Sequence, residues 1–168
     1  MTVTGDLRRS AMREDDVSEG MDLWRLSASQ LLEGYRRREF SPVEAMASVI
    51  GRAEAMEPTV NAFTWTFYDE AMDGARAAEA RYLGKREEPR PFEGLPVAIK
   101  EEMDVAGKPN TLCSLVFSGE ISEGTHPVAA RIMAAGGIVH AKTTMPEFAC
   151  AGFTWSRMFG PTRKPRTP

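Results

Sequence analysis

Apolar positions begin to recur along this chain at about residue 31. Leu31, Leu32 and Tyr35 fall on one helical face behind Ser27 and Gln30, a capping box in which the serine hydroxyl receives a first-turn amide and the glutamine reaches back to the cap. This predicts a short helix ending near Glu39. A better-marked start follows: Ser41 can cap, Pro42 brings the pre-set φ of a first helical position, and Glu44 can reach back to the cap amide. Val43, Met46, Ile50 and Ala53 supply the buried stripe of that helix, and Pro58, which lacks an amide hydrogen, is expected to stop it. Residues 61–67 have the period of a strand, with Phe63, Trp65 and Phe67 on one side and threonines on the other. Asp69 then opens a third helix carrying Met72, Ala75, Ala78 and Tyr82 and ending at Gly84, and the charged, proline-containing residues 85–91 read as a surface linker.

The second half of the chain changes period. Leu95 to Ile99 form a continuous apolar run after Gly94, predicting a mostly buried strand that delivers Lys100 at its carboxyl end. A helix over about residues 127–135, closed by Gly136, leads to a short strand over residues 138–141. Strand, helix, strand is the pattern of a parallel crossover, so the fold class is α/β. Residues 152–168 contain Pro161, Pro165 and Pro168 and predict no regular element. Residues 1–20 are polar and aperiodic, too poor in apolar groups to offset the entropy of ordering, and read as a loose leader before a single domain over residues 21–168.

Charge narrows the range of partners. The chain has 168 residues, 42% of them apolar, and 21 Lys plus Arg stand against 24 Asp plus Glu, so no strong field would hold nucleic acid or an acidic membrane. The longest basic run, Arg36 to Arg38, reads as a solvated helix face. Cys113 and Cys150 match neither a disulfide framework nor a metal spacing, and reduced cytoplasm is the expected compartment. No stretch approaches the roughly 20 apolar residues of a membrane-spanning helix.

Lys100 carries the candidate chemistry. A solvated lysine at a strand end is the ordinary reading of the pattern, by about four to one. The alternative is a lysine held in a site, where desolvation or nearby positive charge leaves a neutral amine able to accept a proton, as in Ser-Lys hydrolases. Ser114 and Ser118 lie close in sequence but outside any glycine-rich turn, and turn or capping roles suit them better. His126, at a helix start, and His140, at a strand end, suit capping or packing, and both thiols read as buried and structural.

The segment Gly94-Leu95-Pro96-Val97-Ala98-Ile99-Lys100, continued by Asp104-Val105-Ala106-Gly107, resembles the G-x-P-x-x-x-K-D-x-x-D-V-A-G segment of amidase-signature enzymes. Four further segments follow in the family's order. Thr111 and Ser114 are similar to its T-T-x-G-S turn, Arg131 to Gly137 to its R-x-x-x-x-G-A helix end, Lys142-Thr143-Thr144-Met145-Pro146-Glu147-Phe148 to G-K-T-N-M-x-E-F, and Phe159-Gly160-Pro161-Thr162-Arg163-Lys164-Pro165 to F-G-x-x-x-N-P. The resemblance runs from about Leu23 to Pro168 and is specific from Gly94 onward.

The resemblance implies the amino-terminal part of a mixed sheet flanked by helices, incomplete in this chain, with Lys100 as the base of a Ser-cisSer-Lys triad that hydrolyses a carboxamide or small amide through an acyl-enzyme. The family's two serines lie in a glycine- and serine-rich segment after the N-P motif, which residues 1–168 do not contain, so the chain alone is expected to be inactive. Ala149 and Cys150 fall where the resemblance implies a substrate pocket. It implies no cofactor and no metal. The expected partner is a small amide, without nucleic acid or membrane, and uncovered apolar surface would favour self-association. A noncatalytic truncated fragment or interaction module, or part of the A subunit of a tRNA-dependent amidotransferase, are the other readings. The sequence departs from the pattern at Glu101 (Asp), Cys113 (Gly), Thr144 (Asn), and Lys164 and Arg166 (Asn and Trp). Cys113 requires a side chain where glycine would allow positive φ.

Overall fold

The structure is a computed structural model that describes residues 22–164. The expected leader, Pro165, Arg166 and Pro168 lie outside the described residues. A 3-10 turn over Leu23–Arg25 leads into α1 (Ala28–Arg37), whose amino end carries the expected capping box: Ser27 Oγ accepts from the Gln30 amide and Gln30 returns the contact. α1 stops two residues earlier than expected because Arg38 turns left-handed at φ 59°. Leu31, Leu32 and Tyr35 face inward, and the Tyr35 hydroxyl donates to the Gly94 carbonyl at 3.4 Å. Gly34 is required here, since a Cβ would come within 2.2 Å of the Phe40 ring.

α2 (Pro42–Val60) also opens with its expected capping box, Ser41 to Glu44. Pro58 does not stop it. The helix runs on to Val60 and ends where Asn61 adopts φ 54°, its amide donating to Glu57 O. A proline in the last turn forfeits one intrahelical bond, a cost the packed amino-terminal half of α2 absorbs. Met46 is fully buried, while Val43 and Ile50 pack against the same cluster at partial exposure. α3 (Tyr68–Tyr82) presses Ala71, Ala75 and Ala78 inward, and these small side chains let it close on α2 with Ile138 beneath.

Between α2 and α3 lies β1 (Phe63–Thr66), shorter than the expected residues 61–67 because Phe67 has already become the cap of α3. β1 pairs antiparallel with β3 (Ile138–Thr143), and β2 (Pro96–Lys100) pairs parallel with the other side of β3, giving the order β1-β3-β2. α4 (Pro127–Ala134) forms the parallel crossover from β2 to β3. It covers the second face of the sheet, where Val97, Ile99 and Val139 meet Ala129 and Ile132. The result is the expected mixed sheet with helices on both faces. Two expectations about its strands change. β3 extends to Thr143, so Lys142 lies inside a strand, and β2 is an edge strand among the described residues, with Ala98 and Lys100 exposed, rather than mostly buried. A continuous apolar run does not distinguish a central strand from an edge whose neighbours are helices.

Two bulges shift side chains from one face to the other. Register passes from Val97↔Val139 to Ala98↔Ala141, which leaves His140 as the extra residue in β3; from Trp65↔Lys142 to Phe63↔Thr143, it leaves Thr64 extra in β1. His140 accordingly sits inside the strand, 5% exposed, edge-on to Phe63 and stacked on Tyr68. The carboxy-terminal stretch is also more regular than expected. β4 (Trp155–Ser156) and β5 (Gly160–Pro161) form a two-stranded ribbon, fastened to the carboxyl end of α2 where Asn61 Nδ2 donates to Phe159 O at 2.7 Å and Arg163 N to Val60 O at 2.8 Å. Pro161 is tolerated because the ribbon is short and all edge. No helix among the described residues is long and apolar enough to cross a membrane.

Burial holds the His140 imidazole neutral, its pKa pushed down from 6.5 to about 4, and its Nδ1 finds no partner. The unfolded chain takes up a proton below pH 6.5 that the folded chain refuses until about pH 4. Stability is therefore full above pH 6.5 and is lost as pH falls across that window, by about 3 kcal/mol in all. Urea unfolding at neutral pH and near pH 4 checks this, and His140→Phe is expected to flatten most of the slope; a slope unchanged by the substitution would assign the loss to other groups.

Candidate active site

Two lysines stand at the carboxyl end of the sheet. Lys100, the last residue of β2, is on the surface: its side chain is 43% exposed and its Nζ lies 2.9 Å from Glu102 Oε1, itself half-exposed. Lys142, from β3, is fully buried. Its Nζ donates to the Pro109 carbonyl at 2.8 Å and sits 3.6 Å from Oε2 of Glu101, also fully buried.

Glu101 is the centre of this arrangement. Oε1 accepts from the Thr111 amide at 2.9 Å, the Thr111 hydroxyl at 3.0 Å and Trp65 Nε1 at 3.4 Å, and Oε2 accepts from the Thr64 hydroxyl at 2.8 Å. The β1 bulge makes this possible, because in a regular strand Thr64 and Trp65 would point to opposite faces. Burial pushes the Lys142 ammonium below the usual lysine pKa, while the Glu101 carboxylate pulls it back up. A buried charge with five polar neighbours is compensated; with one removed, the remaining charge has no water to fall back on.

The loop after β2 is built from the family-like turn. Leu112 and Cys113 take φ 51° and 54°, so Cys113 does stand in the left-handed region where a glycine was expected, with its side chain buried. Burial pushes the Cys113 thiol up, away from thiolate chemistry. Phe148 and Ala149 form a second left-handed pair, at 53° and 54°, and the two loops are joined by Phe148 N donating to Leu112 O at 3.0 Å and Ser114 Oγ donating to Glu147 Oε1 at 2.6 Å. Four non-glycine residues in that region at roughly 1–2 kcal/mol each amount to strain that the joined loops must hold. Ser114 is fully buried and bound to Glu147, and it caps the 3-10 turn that Ser118 ends, so both serines have the turn roles expected of them. His126 caps α4 through Nδ1, also as expected. Cys150 is exposed, correcting the expectation of a buried thiol: it ends a one-turn 3-10 segment with nothing packed over it.

Beside the Lys100–Glu102 pair opens a cleft of about 430 Å³, lined by Glu102, Asp104, Asn110, Phe117, Ile121 and Ser122 among others. Hydrogen bonds from Asn110 and Ser122 hold the Asp104 carboxyl below its ordinary pKa. Asp104 is thereby a fixed wall of the cleft. Among the described residues no group of three or more His, Cys, Asp or Glu is arranged to hold a metal.

The structure brings Lys100 to a surface edge beside this cleft, and Ala149 to the strained loop alongside Cys150. Sequence reasoning missed the Glu101–Lys142 pair. The sequence holds little signal for it: Lys142 follows the apolar run Ile138-Val139-His140-Ala141 as Lys100 follows the run before it, and nothing local separates the buried lysine from the exposed one.

A family model described as Amidase matches residues 44–168. The chain belongs to the amidase family. Among its sequence relatives, the A subunit of the glutamyl-tRNA(Gln) amidotransferase of Rhodopirellula baltica is 37% identical over 140 residues, covering 83% of this chain and 28% of the relative. That of Acidothermus cellulolyticus is 36% identical over 144 residues, covering 86% and 28%. Among solved structures, a bacterial aryl acylamidase of the amidase signature family superposes with a TM-score of 0.75 at 27% identity, over 82% of this chain and 29% of the other. A 6-aminohexanoate cyclic dimer hydrolase gives 0.74 at 26%, over 86% and 28%. The chain thus spans about 30% of the length of the relatives it matches.

Removing Lys142 alone strands the Glu101 carboxylate in a dry site. Lys142→Met is expected to cost about 3–5 kcal/mol in urea unfolding, whereas Glu101→Gln combined with Lys142→Met should cost less than Lys142→Met alone. A double variant as unstable as the sum of the singles would mean that the two charges do not act as a pair.

Proposed function

We propose that this chain is the base-bearing segment of an amidase that hydrolyses the C–N bond of a carboxamide or small amide through an acyl-enzyme, with Lys100 as the general base. The observation that supports this is the position of Lys100: it ends the strand whose G-L-P-V-A-I-K segment carries the family likeness, and its amine reaches the surface and pairs with Glu102, which lines an open cleft. In the proposed reaction Lys100 Nζ accepts a proton relayed from a serine nucleophile as that serine attacks the amide carbonyl; the proton then passes to the leaving amine, and water releases the acyl group. The lysine must be neutral and shielded for this, so segments carrying the serines have to cover the face on which it lies. Ala149 and Cys150, on the strained loop, are proposed to line the acyl side of the pocket.

A second reading is supported by the names of the sequence relatives: part of the A subunit of a tRNA-dependent amidotransferase. Both readings break the same kind of bond and use the same base. Without a serine segment, residues 1–168 alone are proposed to be inactive. The exposed ridge of Leu115, Val116, Phe117, Ile121 and Phe148 would then take part in self-association, or in contact with whatever covers the cleft.

A chimera separates these possibilities. Residues 22–164, placed in the aryl acylamidase over its matching segment, are expected to support amide hydrolysis measured as release of amine, and Lys100→Ala is expected to lower that rate by about 10²–10⁴-fold. Glutamine hydrolysed in preference to small carboxamides would favour the amidotransferase reading. A Lys100→Ala chimera as active as its parent would remove Lys100 from the chemistry, and Lys100-dependent hydrolysis by residues 1–168 alone would overturn the proposed inactivity of the segment.

A further inference from the structure

We propose that Glu101 and Lys142 are the positioning residues for Lys100, fixing the end of β2 so that the Lys100 amine emerges at the surface against Glu102, a wall residue of the cleft. The proposal rests on the reading of Lys100 as base. Glu101 is covalently adjacent to Lys100, and the structure immobilises it twice over. Its amide donates to Thr143 O at 3.0 Å, which carries the β2–β3 ladder one residue past the strand. Its carboxylate is held at the same time by Thr64 and Trp65 of β1, Thr111 of the following loop and Lys142 of β3. Three separate segments therefore converge on the residue after Lys100. The next turn is closed as well, with Met103 N donating to Lys100 O at 2.9 Å.

The consequence for Lys100 is geometric. Burial alternates across the end of β2, with Ile99 buried, Lys100 exposed and Glu101 buried, so anchoring the Glu101 side chain in the interior leaves that of Lys100 on the outer face. With the backbone fixed on both sides, only the lysine's own torsions remain free, and Glu102 restrains their far end at 2.9 Å. Lys142 has a distinct part in this. It neutralises the carboxylate that gathers the donors, and it ties β3 to the loop through Pro109 O, so the wall of the cleft and the base are set by the same pair.

The charge matters as well as the shape. A carboxylate presents acceptors on both oxygens; an amide in its place would turn an NH₂ toward Thr111 N or toward the Lys142 ammonium, donor against donor. Aspartate would keep the charge and both acceptors at the cost of one methylene of reach.

The test reads Lys100 directly and needs no catalysis. Purified chain is labelled with trace acetic anhydride across a range of pH, and the rate at Lys100 is read by peptide mass spectrometry relative to the exposed Lys85, while circular dichroism verifies that each variant is folded. Field effects alone would move Glu101→Gln and Lys142→Met in opposite senses and return the charge-neutral double variant to the wild-type profile. Positioning predicts instead that the double variant stays displaced by at least about threefold in relative rate and that Glu101→Asp lies closer to wild type. A folded double variant within about twofold of wild type at every pH would overturn the proposal. Should the double variant not fold, Thr111→Val withdraws one donor from the carboxylate without altering any charge; a smaller displacement of Lys100 is then expected, and none at all overturns the proposal. Because amide hydrolysis is not measured, a failure here is distinguishable from a failure of the base assignment, which the chimera tests.

Discussion

A carboxylate and an ammonium sealed from water constrain this molecule more than any other contact. Taking the Glu101 and Lys142 charges out of water costs several kcal/mol each, so the arrangement persists only if the protein supplies donors to the carboxylate and an acceptor to the ammonium. The suppliers are far apart in sequence: Thr64 and Trp65 from β1, Thr111 from the loop after β2 and Pro109 from the same loop. Each has to arrive in register. The β1 bulge is what that requirement imposes on a strand, since only an extra residue lets two successive side chains reach one carboxylate.

The second bulge follows the same logic on the opposite strand pair. With His140 set aside as an extra residue, Ala141 and Lys142 resume pairing with Ala98 and Ile99, and the β2–β3 ladder stays continuous up to the paired charges. The imidazole displaced by the bulge goes into an aromatic slot between Phe63 and Tyr68, where it leaves Nδ1 without a partner. An unsatisfied buried nitrogen is a cost, and it is the cost of holding register where the charged residues require it. The joined left-handed loops make a similar trade. Leu112, Cys113, Phe148 and Ala149 are all strained, and all lie between Thr111, which donates to Glu101, and the ribbon that closes the described segment.

What the sequence made legible was local chemistry. Both capping boxes and the helical stripes could be read because each depends on residues a few positions apart, the parallel crossover from the order of strand, helix and strand, and the left-handed turn at Cys113 from the family resemblance. Pro58 misled because helix termination depends on what the rest of the helix packs against, and the Leu95-to-Ile99 run misled because an apolar edge flanked by helices looks like a central strand. The candidate site divided in the same way. Lys100 was legible through the segment that surrounds it, whereas the Glu101–Lys142 pair joins residues 41 apart through a bulge that no periodicity announces.

The two lysines differ in how well each suits the proposed proton transfer. Burial lowers the pKa of Lys142, the property sought in a lysine base, yet its amine is fully enclosed, donates to Pro109 O and faces a carboxylate that favours its charged form. It has neither a free lone pair nor a path to a substrate. Lys100 has the complementary properties: its amine is accessible, and its ionic partner among the described residues is Glu102, an exposed glutamate that lines the cleft and that a covering segment could displace. A base has to reach the proton before its pKa matters. On that ground the buried lysine belongs to the scaffold and the exposed one is the lysine assigned to the proposed chemistry, and in that proposal a single dipeptide, Lys100-Glu101, joins the two roles across one peptide bond.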